Sequence, residues 1–239
     1  MKSAIAYRMI LIEFEKWMAG MDVFFVKSPM KIWLVRHGQV IPPAPGAFYG
    51  GTEVPLSEEG EAQAASAGIY LANEPLDGVI CSPLSRAKYG AQCVASHHPQ
   101  VPVAENPAFL EIDRGFWVGL TQSQVNERFD GAWSASQADL EHWCGNGGES
   151  MGGFRDRVLV GLEGLKRDWQ GGTVALVAHM FPIRAILAQT LGLGLEQWDE
   201  LRIPTGSISL IDLPEGPQVA QVLEVGLKPP QISDTHNPT

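Results

Sequence analysis

Apolar positions in this chain follow two rhythms that alternate along its length. Ile32 to Val35, Gly78 to Cys81 and Thr173 to Ala178 are short blocks with almost no polar interruption, the pattern of strands buried on both faces of a parallel sheet. Val101 to Ala104 reads as a briefer strand of the same kind. Between the blocks, apolar residues recur every three or four positions, as on one face of a helix. Ser57 can cap one such helix, with Ala62, Ala65, Ile69 and Ala72 on a face of mostly small side chains that would lie close to a sheet. A second helix is expected with Ser82 as its cap, Pro83 at its first position and Arg86 in its first turn. The longest stripe, Met151, Phe154, Val158, Leu162, Leu165 and Trp169, follows Glu149, and a further helix starts near Pro182 and runs towards Leu191. Gly206 to Leu213 and Gln218 to Val225 are two more strands joined by a turn of proline and glycine.

Strands separated by helices predict an α/β fold: a three-layer sandwich with a mostly parallel sheet, an antiparallel edge strand from the C-terminal hairpin, and helices on both faces. The domain is expected over residues 30–227. In residues 1–29 an apolar start at Ile10, Leu11 and Ile12 is interrupted by Glu13, Glu15 and Lys16, and no small-residue cleavage site follows. This segment reads as an N-terminal extension ahead of a natural start at Met30. Ile41 to Gly51 is a loop by composition, and Phe109 to Ile112 leads into a turn over 113–119. Residues 120–148 form an insertion. Its part from 130 lacks sustained periodicity and reads either as a cap over a site or as a plain surface excursion. Residues 228–239 are a polar tail.

Composition narrows the function classes. With 239 residues, 45% hydrophobic and 18% charged, and a mean hydropathy of -0.02, this is an ordinary globular chain. Its net charge of -10 argues against nucleic acid or an anionic membrane as the main partner, since both demand a basic face. Any anionic substrate must be captured by a local arginine cluster. Cys81, Cys93 and Cys144 have no metal-like spacing and suit reduced thiols in a cytoplasm. No helical histidine pair is present either, so neither a metal nor a cofactor is expected.

Candidate chemistry gathers at strand ends. Arg36 and His37 end the first apolar block, and His179 ends the block at 173–178. Arg86 would sit at the same edge if both strands are parallel, and Glu111 follows the short strand after it. In open α/β sheets ligands bind beyond the carboxyl ends of the strands. Two arginines, two histidines and one carboxylate without metal ligands suggest phosphoryl transfer through a histidine. Guanidinium groups grip phosphate oxygens in pairs. A neutral imidazole can attack phosphorus, and the reference pKa of about 6.5 leaves histidine mostly neutral at pH 7. Glu111 would then protonate the leaving oxygen, which requires a pKa raised by burial or by neighbouring negative charge.

VRHGQV at 35–40, SPLSRA at 82–87, LEIDRGFWVG at 110–119, GES at 148–150 and VAHMFPIRA at 177–185 resemble, in order and spacing, the histidine phosphatase superfamily, which includes the phosphoglycerate mutases. The resemblance covers Lys31 to Leu213 and implies a phosphoglycerate mutase-like fold. It implies His37 as the phosphorylated histidine and Arg36 and Arg86 as phosphate-binding arginines. It further implies Glu111 as proton donor and acceptor, and His179 as the second histidine of the phosphate pocket. FYGGTEVPLSEEG at 48–60 looks like the alpha-ribazole and broad-specificity phosphatase branches. The 67 residues between Glu111 and His179 leave little room for the longer insertion of cofactor-dependent mutases. Hydrolysis of a small-molecule phosphate ester is therefore expected, with mutase-type transfer and a non-catalytic anion-binding relative as alternatives. Met180 and Phe181, where the family usually has glycine after the second histidine, would narrow the phosphate pocket or add an apolar wall to it. A homodimer is left open.

Overall fold

The computed structural model describes residues 29–214 and 219–231. All but Pro29 of the expected N-terminal extension lies outside them, as do Gln218 and residues 232–239 of the expected tail. In chain order, β1 (Met30–Arg36) is followed by α1 (Glu58–Leu71), β2 (Gly78–Cys81), α2 (Ser85–Ala95) and β3 (Val103–Glu105). Two short helices, α3 (Gln122–Arg128) and α4 (Ala132–Ala138), precede the long α5 (Met151–Asp168). Then come β4 (Thr173–Ala178), α6 (Met180–Leu191) and the hairpin of β5 (Ile208–Leu213) and β6 (Gln221–Leu227).

The strands form one sheet in the order β3-β2-β4-β1-β5-β6. β3, β2, β4 and β1 are mutually parallel, β5 runs antiparallel to β1, and β6 runs antiparallel to β5. The mixed, mostly parallel α/β sheet is therefore as expected, with its antiparallel strand second from the edge. Alternation along the strands splits the core into two layers. Ile32, Leu34, Val174 and Leu176 pack with Phe154, Val158 and Leu162 of α5 and Ile183, Ile186 and Leu187 of α6. On the other face Trp33, Val35, Val79, Ala175 and Val177 pack with Ala67 and Leu71 of α1 and Ala87, Ala91 and Val94 of α2. Each fully buried aliphatic side chain contributes about 1.5–3 kcal/mol of transfer free energy. Among the described residues no helix is long and apolar enough to cross a membrane.

Several local expectations are corrected. The buried face of α1 is Gly60, Ala64, Ser66, Ala67, Gly68 and Leu71, while Ala62 and Ile69 are exposed and Ala65 and Ala72 only half-buried. Glycines are invisible to an apolar count, yet they make the contacts: a Cβ on Gly68 would lie 2.6 Å from the Cys93 carbonyl oxygen on α2. Ser82 does not cap α2, because its hydroxyl is engaged with His179 at 2.7 Å and the N-cap is Leu84. The Glu53 carboxylate caps this helix from outside, accepting from the Ser85 amide at 3.1 Å and from the Ser85 hydroxyl at 2.6 Å. Residues 130–148 hold the helix α4, which starts from Gly131 at φ 67° and is only 7 residues long, too short to print a stripe. The brief strand expected at 101–104 is shifted to β3, and the hairpin strands begin two and three residues later than read.

Candidate active site

The carboxyl ends of β1, β2 and β4 converge on one edge of the sheet. His37 follows β1, and its amide donates to the Ala178 carbonyl at 3.0 Å while its own carbonyl accepts from the Gly206 amide at 3.0 Å. This ties the residue between the end of β4 and the turn before β5. His179 is the N-cap of α6. The two imidazoles lie 5.0 Å apart, centre to centre, tilted by 60°. Arg86, in the first turn of α2, reaches back to donate to the carbonyls of Thr52 at 2.7 Å and Gly50 at 2.9 Å. Arg36 donates to the Ile203 carbonyl. Glu111 follows the 3-10 turn Pro107–Phe109, and its Oε1 accepts from the Ile112 amide at 2.9 Å while Oε2 lies 3.5 Å from the Phe181 amide. All five residues anticipated from sequence are thus brought into one buried cluster, and their charges act on one another.

Gly38, next to His37, is placed by close packing within the fold. A Cβ there would lie 1.9 Å from the Gly60 carbonyl oxygen, so it is the first turn of α1, and not a ligand, that comes close to this backbone. The reciprocal Cβ on Gly60 would lie 2.0 Å from the Gln39 carbonyl oxygen.

Burial sets the protonation states. It holds His37 well below the ordinary histidine range, and the charges of Arg86 and Arg36 add to the effect. His179 is lowered in the same way, first by burial and then by His37 and the two arginines. Glu111 is pushed up by burial, against the opposing Ile112 amide, Arg114 and Arg36. His37 Nδ1 sits 2.7 Å from the Gly38 carbonyl, which can only accept. Nδ1 therefore carries the proton and Nε2 keeps its lone pair. The Ser82 hydroxyl can donate to His179 Nε2, which leaves Nδ1–H of that ring free to donate. Three buried nitrogens of the cluster, Arg36 Nε, Arg86 Nε and His179 Nδ1, have no hydrogen-bond partner. A buried donor left alone costs about 1–3 kcal/mol, and a phosphate oxygen is the acceptor that suits all three.

A cavity of about 470 Å³ adjoins this cluster and meets it at Arg36 and Glu111. His37, Arg86 and His179 lie behind that boundary and do not line it. One wall comes from the 120–148 insertion through Trp133, Ser136, Gln137, Leu140, Trp143 and Asn146. Trp117 and Phe48 stack with that wall, Trp117 at 5.0 Å from Trp143 and Phe48 at 5.6 Å from Trp133. Met180 and Phe181 also line it. Of the two effects expected of them, the apolar wall is evident.

The insertion is closed at its neck. The Phe116 amide donates to the Asn146 carbonyl at 2.8 Å, the Asn146 side chain to the Arg114 carbonyl at 3.0 Å, and the Glu149 amide to the Asp113 carbonyl at 3.0 Å. Arg157 of α5 completes the seam, pairing with Glu149 at 2.7 Å and donating to the carbonyls of Ala108 at 2.9 Å and Leu110 at 3.1 Å. The strut that leads to Glu111 is thereby fixed to α5.

Sequence reasoning passed over Arg114, Arg184 and Ser82 as a partner of His179, and it did not foresee that the Tyr49 ring lies 5.4 Å under the Arg86 guanidinium. Arg114 and Tyr49 sit inside the motifs 110–119 and 48–60, so their neighbourhood was visible although their contacts were not. The Ser82 contact joins positions 97 apart, and no local pattern encodes it.

Comparison with known proteins places this architecture. Phosphoserine phosphatase 1 of Hydrogenobacter thermophilus is 29% identical over 203 residues, covering 82% of this chain and 92% of that protein. Adenosylcobalamin/alpha-ribazole phosphatase of Escherichia coli is 28% identical over 184 residues, covering 77% and 90% respectively. The crystal structure of the alpha-ribazole phosphatase from Shigella flexneri superposes with a TM-score of 0.76 at 25% identity, over 86% of this chain and all of that one. The sequence profile of the histidine phosphatase superfamily (branch 1) matches residues 32–225, a span that runs from β1 into β6 and contains every member of the buried cluster, so the chain belongs to the histidine phosphatase superfamily.

Proposed function

We propose that this histidine phosphatase hydrolyses a small organic phosphate monoester without a metal, by way of a phosphohistidine on His37. The observation that carries the reading is the fixed tautomer of His37, whose Nδ1–H is spent on the Gly38 carbonyl at 2.7 Å. Nε2 is then the nucleophile, kept uncharged by burial and by the two guanidinium groups. Arg36, Arg86 and His179 Nδ1–H hold the phosphoryl oxygens and offset the charge that builds on them in the transition state. In the first step Nε2 bonds to phosphorus, the ester P–O bond breaks, and Glu111 gives its proton to the departing oxygen. In the second, the Glu111 carboxylate takes a proton from water as that water attacks phosphorus. The N–P bond breaks, and inorganic phosphate leaves with His37 restored.

Known relatives favour hydrolysis over transfer between positions, since phosphoserine phosphatase and alpha-ribazole phosphatase both stand among them. A panel of esters including phosphoserine, alpha-ribazole phosphate, nucleotides and sugar phosphates would define the substrate. Phosphate release is expected to persist in excess chelator and to fall by about 10⁴-fold or more in His37→Ala. Labelled substrate, quenched without acid, is expected to leave a phosphohistidine in the native protein and none in the variant. Release that needs a divalent ion, or that survives His37→Ala, would sink the proposal.

A further inference from the structure

Arg114 is a half-buried cation on the wall of the cavity, in the part next to Glu111. Its Cζ lies 5.3 Å from the ring centre of Phe48 and 4.9 Å from that of Phe181. Both contacts hold the guanidinium through the electron-rich faces of rings, but neither satisfies an N–H donor. No hydrogen bond joins this guanidinium to another described residue, whereas Arg36, Arg86, Arg157 and Arg184 all donate to carbonyls or carboxylates. Such an arrangement costs desolvation and, within the chain, gains little in return.

The carboxylates of the cavity wall do not supply the missing acceptor. Glu149 is committed to Arg157 at 2.7 Å and Asp199 to Arg184 at 2.7 Å. Glu196 is exposed to solvent. Glu111 is the charge that acts most on Arg114, and in the reaction proposed above it must hold a proton when the ester bond breaks. Until that proton is given up, Glu111 offers the cation no counter-charge. The leaving group, attached at the oxygen that Glu111 protonates, extends from there into the cavity.

We propose that Arg114 receives an anionic substituent on the leaving group, a carboxylate or a second phosphate, and so makes phosphate esters with an acidic leaving group the preferred substrates. The inference rests on the reading of Glu111 and His37 given above. Five N–H donors in a fixed fork match a carboxylate or phosphate edge, and the two rings hold the fork before the substrate arrives, so less side-chain freedom is lost on binding. The cavity, at about 470 Å³, has the size of a site for a small organic molecule. Phe181 is central to this device, and its place directly after Met180 at the start of α6 is where the chain departs from the pattern of the superfamily.

Non-hydrolysable phosphonates separate this subsite from turnover. Phenylphosphonate, 3- and 4-carboxyphenylphosphonate and 1,4-phenylenediphosphonate would be titrated calorimetrically into the full chain. One of the doubly anionic ligands is expected to bind about tenfold or more tightly than phenylphosphonate, and whether it is a carboxylate or the diphosphonate identifies the anion. That preference is expected to vanish in Arg114→Gln and to return in part in Arg114→Lys, with thermal melting to show that each variant is folded. Equal affinities in the unmodified protein, or a preference that survives Arg114→Gln, would overturn the inference. The unmodified protein decides it even if a variant does not fold. Release of phosphate from phenyl phosphate is measured alongside. Preference without release removes the hydrolase reading and keeps the subsite, and release without preference does the reverse.

Discussion

Burial pushes both partners of the proposed reaction towards their uncharged forms at once. His37 is kept without its extra proton and Glu111 is urged to keep the one it has, which are the states a nucleophile and an acid need before phosphorus is attacked. Glu111→Gln is therefore expected to slow transfer of the phosphoryl group from alkyl esters to His37 by about 10²–10⁴-fold, and transfer from 4-nitrophenyl phosphate far less, because that phenolate departs without a proton. Single-turnover rates of leaving-group release from the two substrates check this, and equal losses on both would remove the acid role from Glu111. Arg36, His37, Arg86, Glu111 and His179 were legible because charged or titratable residues next to apolar blocks stand out against them. Arg114 was not. A lone arginine in a turn reads as solvated, and only coordinates reveal that Phe48 and Phe181, 66 and 67 residues distant from it, close over it.

The helices were legible where they are long and poorly legible where glycine or an outside residue does the structural job. The α5 stripe emerged as read, with Phe154, Val158, Leu162 and Leu165 buried. By contrast α2 is capped by Glu53, 32 positions upstream of Ser85, and α1 meets its neighbours through glycines. The crossing of Gly38 and Gly60 is the tightest consequence. Gly38→Ala would drive a methyl group into the Gly60 carbonyl, and overpacking of this kind costs about 1–3 kcal/mol or more. Thermal melting is expected to show Tm lower by several degrees, with phosphate release reduced because the displaced strand end carries His37. An unchanged Tm would mean that α1 can withdraw without cost.

The order of the sheet follows from parallel pairing and a closing hairpin, which the alternation of strands and helices did announce. Pairing partners did not follow from it: β1 and β4 are neighbours across more than a hundred residues. That pairing puts two neutral histidines in the interior, and the stability of the entire fold then depends on acidity. The folded pKa values of His37 and His179 lie below the unfolded value of about 6.5, so below that pH the unfolded chain binds more protons. Stability is lost as pH falls through about 6.5, by up to roughly 1.4 kcal/mol per pH unit for each histidine. Glu111, raised above its usual value, opposes with the other sign, one group against two. Tm is expected to drop between pH 7 and pH 5.5, and to drop less in a variant with both histidines replaced by glutamine. A double variant with an identical slope would show that the rings are charged in the folded protein.

The stitched neck between residues 113–116 and 146–149 separates two duties that share one cavity. Everything the chain threads between those seams can grow, shrink or be exchanged at the modest entropic cost of a longer loop, while the segment carrying Glu111, the proposed acid, stays anchored to α5 through Arg157. Choice of substrate can thus drift through substitution and length change without retuning the chemistry.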